Sequence, residues 1–154
     1  MVWRPKCYVS PIIDLTGITP DLRRADLEFA NVDHSGATFE ARIFFDNPAA
    51  DQDAPKIAQV GYVTSFHVFG HGGCFGDVGH CEIHERRLYD PRPTHQLTPA
   101  LRKVVRVTDA IRRLLQQGRT GMTVTVVPVI TSATERCDFE NVLKFTHVKV
   151  VAYG

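Results

Sequence analysis

The chain lacks a long apolar run. No stretch of its 154 residues approaches the roughly 20 consecutive apolar positions a membrane-spanning helix needs, so no membrane partner is expected. It also lacks an excess of one charge. Eighteen Lys and Arg stand against 17 Asp and Glu, for a formal net charge of +1. That balance leaves neither the basic footprint of a nucleic-acid binder nor a cationic face for a lipid surface. The N-terminal stretch MVWRPKCYVSPIIDLTG has no apolar run of signal-peptide length and is interrupted by Pro5 and Pro11. The expectation is therefore a cytoplasmic protein, where free or metal-bound thiols outnumber disulfides. Repeats, low-complexity tracts and composition breaks are missing too, which points to one domain over residues 1–154 with enough apolar content for a real core. Among enzyme signatures, a Ser/His/Asp arrangement and paired carboxylates do not stand out. The glycines at 70–76 lack the Lys-Ser/Thr and helix of a phosphate loop.

What the chain does have is a cluster of metal-type ligands. FHVFGHGGCFGDVGHCEIHERRLYDPRPTH holds five of the seven histidines and two of the four cysteines: His67, His71, Cys74, His80, Cys81, His84 and His95. Imidazole and thiolate bind zinc and copper, and the interspersed glycines allow such groups to converge. The spacing is not that of a zinc knuckle, since Cys74 and Cys81 are seven apart. HxxxH occurs at His67/His71 and at His80/His84, but neither flank reads as helix. In an extended strand, residues four apart stand roughly 13 Å from each other, so Gly70, Gly72 and Gly73 would have to turn the chain sharply. Cys81 flanked by His80 and His84 is the densest group, with Cys74 the natural second thiol, and His67, on a strand, the most rigidly placed. Two other readings stay open: a hydrogen-bonded glycine-rich loop with small buried cysteines, and a Cys74–Cys81 disulfide. His34, in a turn, and His147, in a strand, are expected to play surface or packing roles, and Cys7 and Cys137 to be unpaired thiols.

The remaining pattern is mostly β. Residues 27–32 and 37–46 read as strands, and Asp33-His34-Ser35-Gly36 between them as the turn of a hairpin. Asn47-Pro48 breaks the pattern, 49–56 is a polar loop and 61–69 is a further strand feeding the His/Cys segment. The connection from about 70 to 99 has little periodicity, and loops of that length are usually functional or disordered. Residues 103–107 alternate as a strand. Thr108-Asp109 then cap a short helix at 110–117, with Ile111, Leu114 and Leu115 as its buried stripe and Gly118 as its stop. The strand at 122–130 contains Pro128, the mark of an edge position or bulge. In the last strand, 142–152, neither face is cleanly apolar. These elements predict a mainly β fold, an antiparallel β-sandwich or jelly-roll-like barrel with one short helix.

The order of these pieces resembles a known family. GYVTSFHVFGH, VVRVTDAIRRLLQQG, MTVTVVPV and VLKFTHVKV, preceded by EARIFFDNPAAD, are similar to the small β-sandwich domain that follows the dicopper domain in tyrosinases, polyphenol oxidases and molluscan haemocyanins. The matching positions are Ser65-Phe66, Val107-Thr108-Asp109 with Leu114-Leu115, Thr123–Pro128 and Lys144–Val150. In that family the domain shields or accompanies the active site, and in some members a cysteine-containing segment assists copper loading. The helical bundle that carries the copper-binding histidines has no counterpart here, so dicopper oxidase activity is not implied. The resemblance implies an accessory module that binds copper, or alternatively zinc, and partners a copper oxidase or its maturation. The alternatives are a small copper-dependent oxidoreductase with an open His/Cys site, and a structural or self-associating domain without metal.

Overall fold

Alternating apolar residues in 24–32, 38–45 and 124–132 give strands that bury one face completely and much of the other, so they occupy the middle of sheets. The computed structural model describes residues 3–73 and 100–154, together with Val78, Tyr89 and Pro91. Among these are six strands of six or more residues: β3 (Arg24–Val32), β4 (Thr38–Phe45), β5 (Tyr62–Val68), β6 (Leu101–Arg106), β8 (Val124–Ser132) and β9 (His147–Tyr153). Three two-residue strands join them: β1 (Tyr8–Val9), β2 (Ile13–Asp14) and β7 (Gly121–Met122). One α-helix, α1 (Thr108–Gln116), follows β6. The strands form an antiparallel four-stranded sheet in the order β1-β8-β4-β5, a three-stranded sheet β6-β3-β9 and the small pair β2-β7. This is the expected mainly β sandwich with one helix.

The core lies between the two larger sheets. Leu27 and Phe29 of β3 face Phe39, Ala41 and Ile43 of β4, with Phe66 and Val68 of β5 and Val124 and Val126 of β8, all nearly inaccessible. Phe29 sits at the centre, 5.0 Å from the ring of Phe66 and 5.3 Å from that of Phe145. Ile111 is fully buried, and Leu114 and Leu115 pack on the same cluster, so the helix presents the predicted stripe.

Three expectations are corrected. First, 27–32 and 37–46 are not a hairpin. β3 has β6 and β9 on its two edges and β4 has β5 and β8, so neither has a free edge for the other. The connection at 33–37 instead arches from one sheet to the other. A register shift between Phe29 and Val32, with Asn31 at a φ of 56°, bends β3 toward that crossing. Second, Thr108-Asp109 do not cap α1. Val107 occupies the cap position without a side-chain cap bond. The Thr108 hydroxyl is turned to β3, where it accepts from the Ala25 amide at 3.1 Å. Third, the last strand begins at His147 and not at 142. Leu143 and Phe145 pack inward, and so do Val148 and Val150. The inward parity changes at Thr146–His147, which is why a single alternation could not sort the faces.

Pro128 lies in β8, a strand between two others. Its neighbour β1 covers only Thr125 and Val126, so the stretch around Pro128 is an edge on that side. There the Gln52 side chain donates to the Pro128 carbonyl at 3.0 Å. No described helix is long and apolar enough to cross a membrane.

Candidate metal centre

Two of the seven predicted ligands, His67 and His71, lie among the described residues. Cys74, His80, Cys81, His84 and His95 lie outside them, as do the Cys74–Cys81 disulfide reading and most of the 70–99 connection. His67 is held by β5 opposite Glu40 of β4 and is exposed on the outer face of the four-stranded sheet, because Phe66 and Val68 take the inward positions. Burial works against the charge of the Glu40 carboxyl, but hydrogen bonds from Lys56, Ser65 and Arg42 outweigh it and hold its pKa below the ordinary value. Arg42 Nε is 3.2 Å from Glu40, and Lys56 Nζ completes the group.

His71 stands where the chain leaves β5, and here the glycines act. Gly70 crosses the 33–37 arch so closely that an added Cβ would lie 2.1 Å from the Gly36 carbonyl oxygen and 2.4 Å from Ala37 backbone atoms. Only glycine allows that approach. The Gly70 amide donates to the Thr38 hydroxyl at 2.9 Å. The next three amides then bond the arch in turn: His71 to the His34 carbonyl at 3.0 Å, Gly72 to Gly36 at 2.8 Å and Gly73 to Ser35 at 2.7 Å. Gly72 and Gly73 have φ values of 75° and 97° and turn the chain sharply just after His71, while His67 stays on the outer sheet face. The Thr134 hydroxyl clamps the far side by donating to the Gly72 carbonyl at 2.7 Å. The base of the His/Cys segment is thus lashed to the crossing between the sheets.

This lashing brings together a pair that sequence reasoning did not. His34 is 9% exposed, and its ring lies 5.0 Å from that of His71, centroid to centroid, at an interplanar angle of 65°. Two imidazoles bound to one tetrahedral ion at about 2.0–2.1 Å have ring centres about 5 Å apart. The observed pair has that centroid separation in an edge-to-face ring contact. Among the described residues no group of three or more His, Cys, Asp or Glu is assembled for a metal. The surface or packing role expected for His34 agrees with its burial in this ring contact with His71, 37 positions later. The available signal was the pair of turns, DHSG and GHGG, each with a histidine next to glycine or serine. His147 is exposed on β9, beside Lys149 and Glu28. Cys7 is half-buried and Cys137 buried, both unpaired. Burial, reinforced by the Asp51 carboxylate, raises the Cys7 thiol above its ordinary pKa, only partly offset by the Gln52 side chain.

No family profile matches the sequence, and no curated protein matches it. Five solved chains do match in structure. One is a latent aurone synthase, a polyphenol oxidase from natural source, with a TM-score of 0.55 at 12% identity over 99% of this chain. The fold is that of a domain within a polyphenol oxidase. This chain spans 25% of that protein's length.

Proposed function

We propose that this protein is an accessory metal-binding β-sandwich that takes up copper, or zinc, at the arch end of the fold and serves a copper oxidase or its maturation. One observation carries the reading: the His34–His71 pair, at a separation suited to one ion, sits where the His/Cys segment leaves a fold shared with a polyphenol oxidase. In this reading His34 and His71 supply two imidazoles, and the thiolates of Cys81 and Cys74, with His80 or His84, complete the set. Thiolate with imidazole favours soft and borderline ions, and copper binds such sets more tightly than zinc. His67, turned to the outer sheet face, is the outlying member of the set.

The chain's own residues would hold the ion and keep it apart from water. A coordinated ion is the only chemistry the bound metal needs to supply for a delivery or shielding role. The test is stoichiometric titration of untagged protein with Zn(II) and Cu(I). The expected result is one equivalent bound at micromolar concentration, with affinity falling on acidification because the ligands must shed protons. Cys81→Ser and His71→Ala should weaken binding at least tenfold, and Cys7→Ser and His147→Ala should leave it unchanged. Less than one equivalent in the wild type, or Cys81→Ser binding as well as the wild type, would overturn the proposal.

A further inference from the structure

The end of the molecule where α1 begins carries an unexpected concentration of arginine. A cavity of about 560 Å³ opens there, at the junction of α1 with the start of β3, the end of β6 and the middle of β5. Arg23, Arg24, Arg106, Arg112 and Arg113 line it, and Asp109 is its one carboxylate. Five of the chain's thirteen arginines thus meet in one cavity, with none of its five lysines, in a protein whose net charge is only +1. General basicity does not explain such a gathering.

The fold uses only some of these groups. Arg112 staples the 19–22 turn to the helix, with Nη2 donating to the Leu22 carbonyl at 2.9 Å and Nε to that of Pro20 at 3.2 Å, and it also reaches Asp109 at 3.2 Å. Arg24 is paired with both oxygens of Asp26 at 2.9 Å. Arg113 Nε bonds the Asp109 carbonyl at 3.3 Å. Among the described residues, Arg23 and Arg106 make no side-chain hydrogen bond or ion pair. They are exposed residues lining the same cavity. The amides of Thr108, Asp109 and Ala110 at the same wall begin a helix that no side chain caps.

We infer that this cavity binds a small molecule carrying a diphosphate or two neighbouring phosphate groups. Guanidinium is the side chain whose planar fork matches phosphate oxygens in pairs, which a lysine cannot do. The cavity volume is in the range of small-ligand sites. An uncapped helix start adds partial positive charge and free N–H donors to the same wall. The single lining carboxylate is occupied by Arg112 and Arg24 is paired with Asp26, which leaves Arg23 and Arg106 without an ion-pair partner among the described residues. This site is remote in function from the metal reading and stands without it.

Calorimetric titration of the full chain with inorganic diphosphate, at fixed ionic strength, tests the inference. The expected result is one saturable site that binds diphosphate at least tenfold more tightly than orthophosphate or citrate. Arg23→Ala and Arg106→Ala should each weaken it at least tenfold, whereas Lys6→Ala, which removes the same charge elsewhere, should change it less than twofold. The amide resonances of Thr108, Asp109 and Ala110 should move on binding to the wild type, a readout that needs no variant. Absence of saturable binding, equal affinity for citrate, unmoved helix-start amides, or equal losses in Lys6→Ala and the arginine variants would overturn it.

Discussion

The two large sheets treat their outer faces differently. On the four-stranded sheet the outward residues Phe44 and Val127 are fully buried, because the loop at 46–61 folds over them and adds Ala50, Ala54 and Val60 to a second small cluster. The loop is fastened there by Gln52, which bonds the carbonyls of Pro5 and Pro128, and by Asn47, which bonds that of Val60. Among the described residues, the three-stranded sheet has no such cover. Its outward row is Asp26 and Glu28 flanked by Arg24, Arg102 and Lys149, and Val104 is 42% exposed. The Phe44–Val127 end of one outer face is covered by apolar contact, whereas its His67 end and the outward row of the other sheet carry charged or polar side chains that reach water. Strand alternation alone does not decide which arrangement a sheet adopts; the connection that follows the strand does.

That contrast can be broken by truncation. Phe44→Ala should destabilise the fold by about 3–5 kcal/mol, the cost of a large cavity under a fastened loop. Val104→Ala, a similar apolar truncation on the open face, should stay within about 0.5 kcal/mol. Denaturant unfolding of the two variants measures both. Equal costs would mean that the 46–61 loop does not seal its face.

A smaller effect is expected at the crossing between the sheets. Gly70→Ala drives a methyl group into backbone atoms of Gly36 and Ala37, so the arch must shift. Destabilisation of about 1–3 kcal/mol is expected, together with weakened metal binding, since the displaced element carries His34. A variant as stable as the wild type, with unaltered metal affinity, would show that the close approach is not needed.

The smallest effect concerns acid. The Glu40 carboxyl is held below its ordinary pKa in the folded chain, so its contribution to stability is present above the unfolded value, about 4.3. It is lost as pH falls through the depressed folded value. Glu40→Gln should therefore show a shallower loss of stability below about pH 4.3 and be less stable than the wild type at neutral pH. Parallel acid limbs for the two proteins would remove Glu40 as a contributor.

Much of this architecture was legible in the sequence, and the failures have identifiable causes. The helix stripe of Ile111, Leu114 and Leu115 and the strands around Phe39, Phe66 and Val126 follow from local periodicity, which reports burial directly. The hairpin expectation at 33–36 failed because a turn signal specifies a change of direction and not the partner of the strand that follows. The ambiguous last strand was two inward-facing pairs, Leu143/Phe145 and Val148/Val150, joined out of phase. At the candidate site, a turn at Gly70, Gly72 and Gly73 was readable from the glycines themselves, but His67 stays on the outer sheet face. The approach of His34 to His71 was not readable, because it depends on an arch between sheets that no local pattern announces. The arginine cavity escaped for the same reason: its residues come from three separate segments.

The central claim is that the arch and the base of the His/Cys segment bring His34 and His71 onto one ion. Nitrogen-15 spectra of the histidine side chains during addition of Zn(II) test it most directly. The account predicts that the His34 and His71 imidazole signals change together, completing at one equivalent, while that of His147 stays in place. Zinc bound at one equivalent with the His34 and His71 signals unmoved would contradict it.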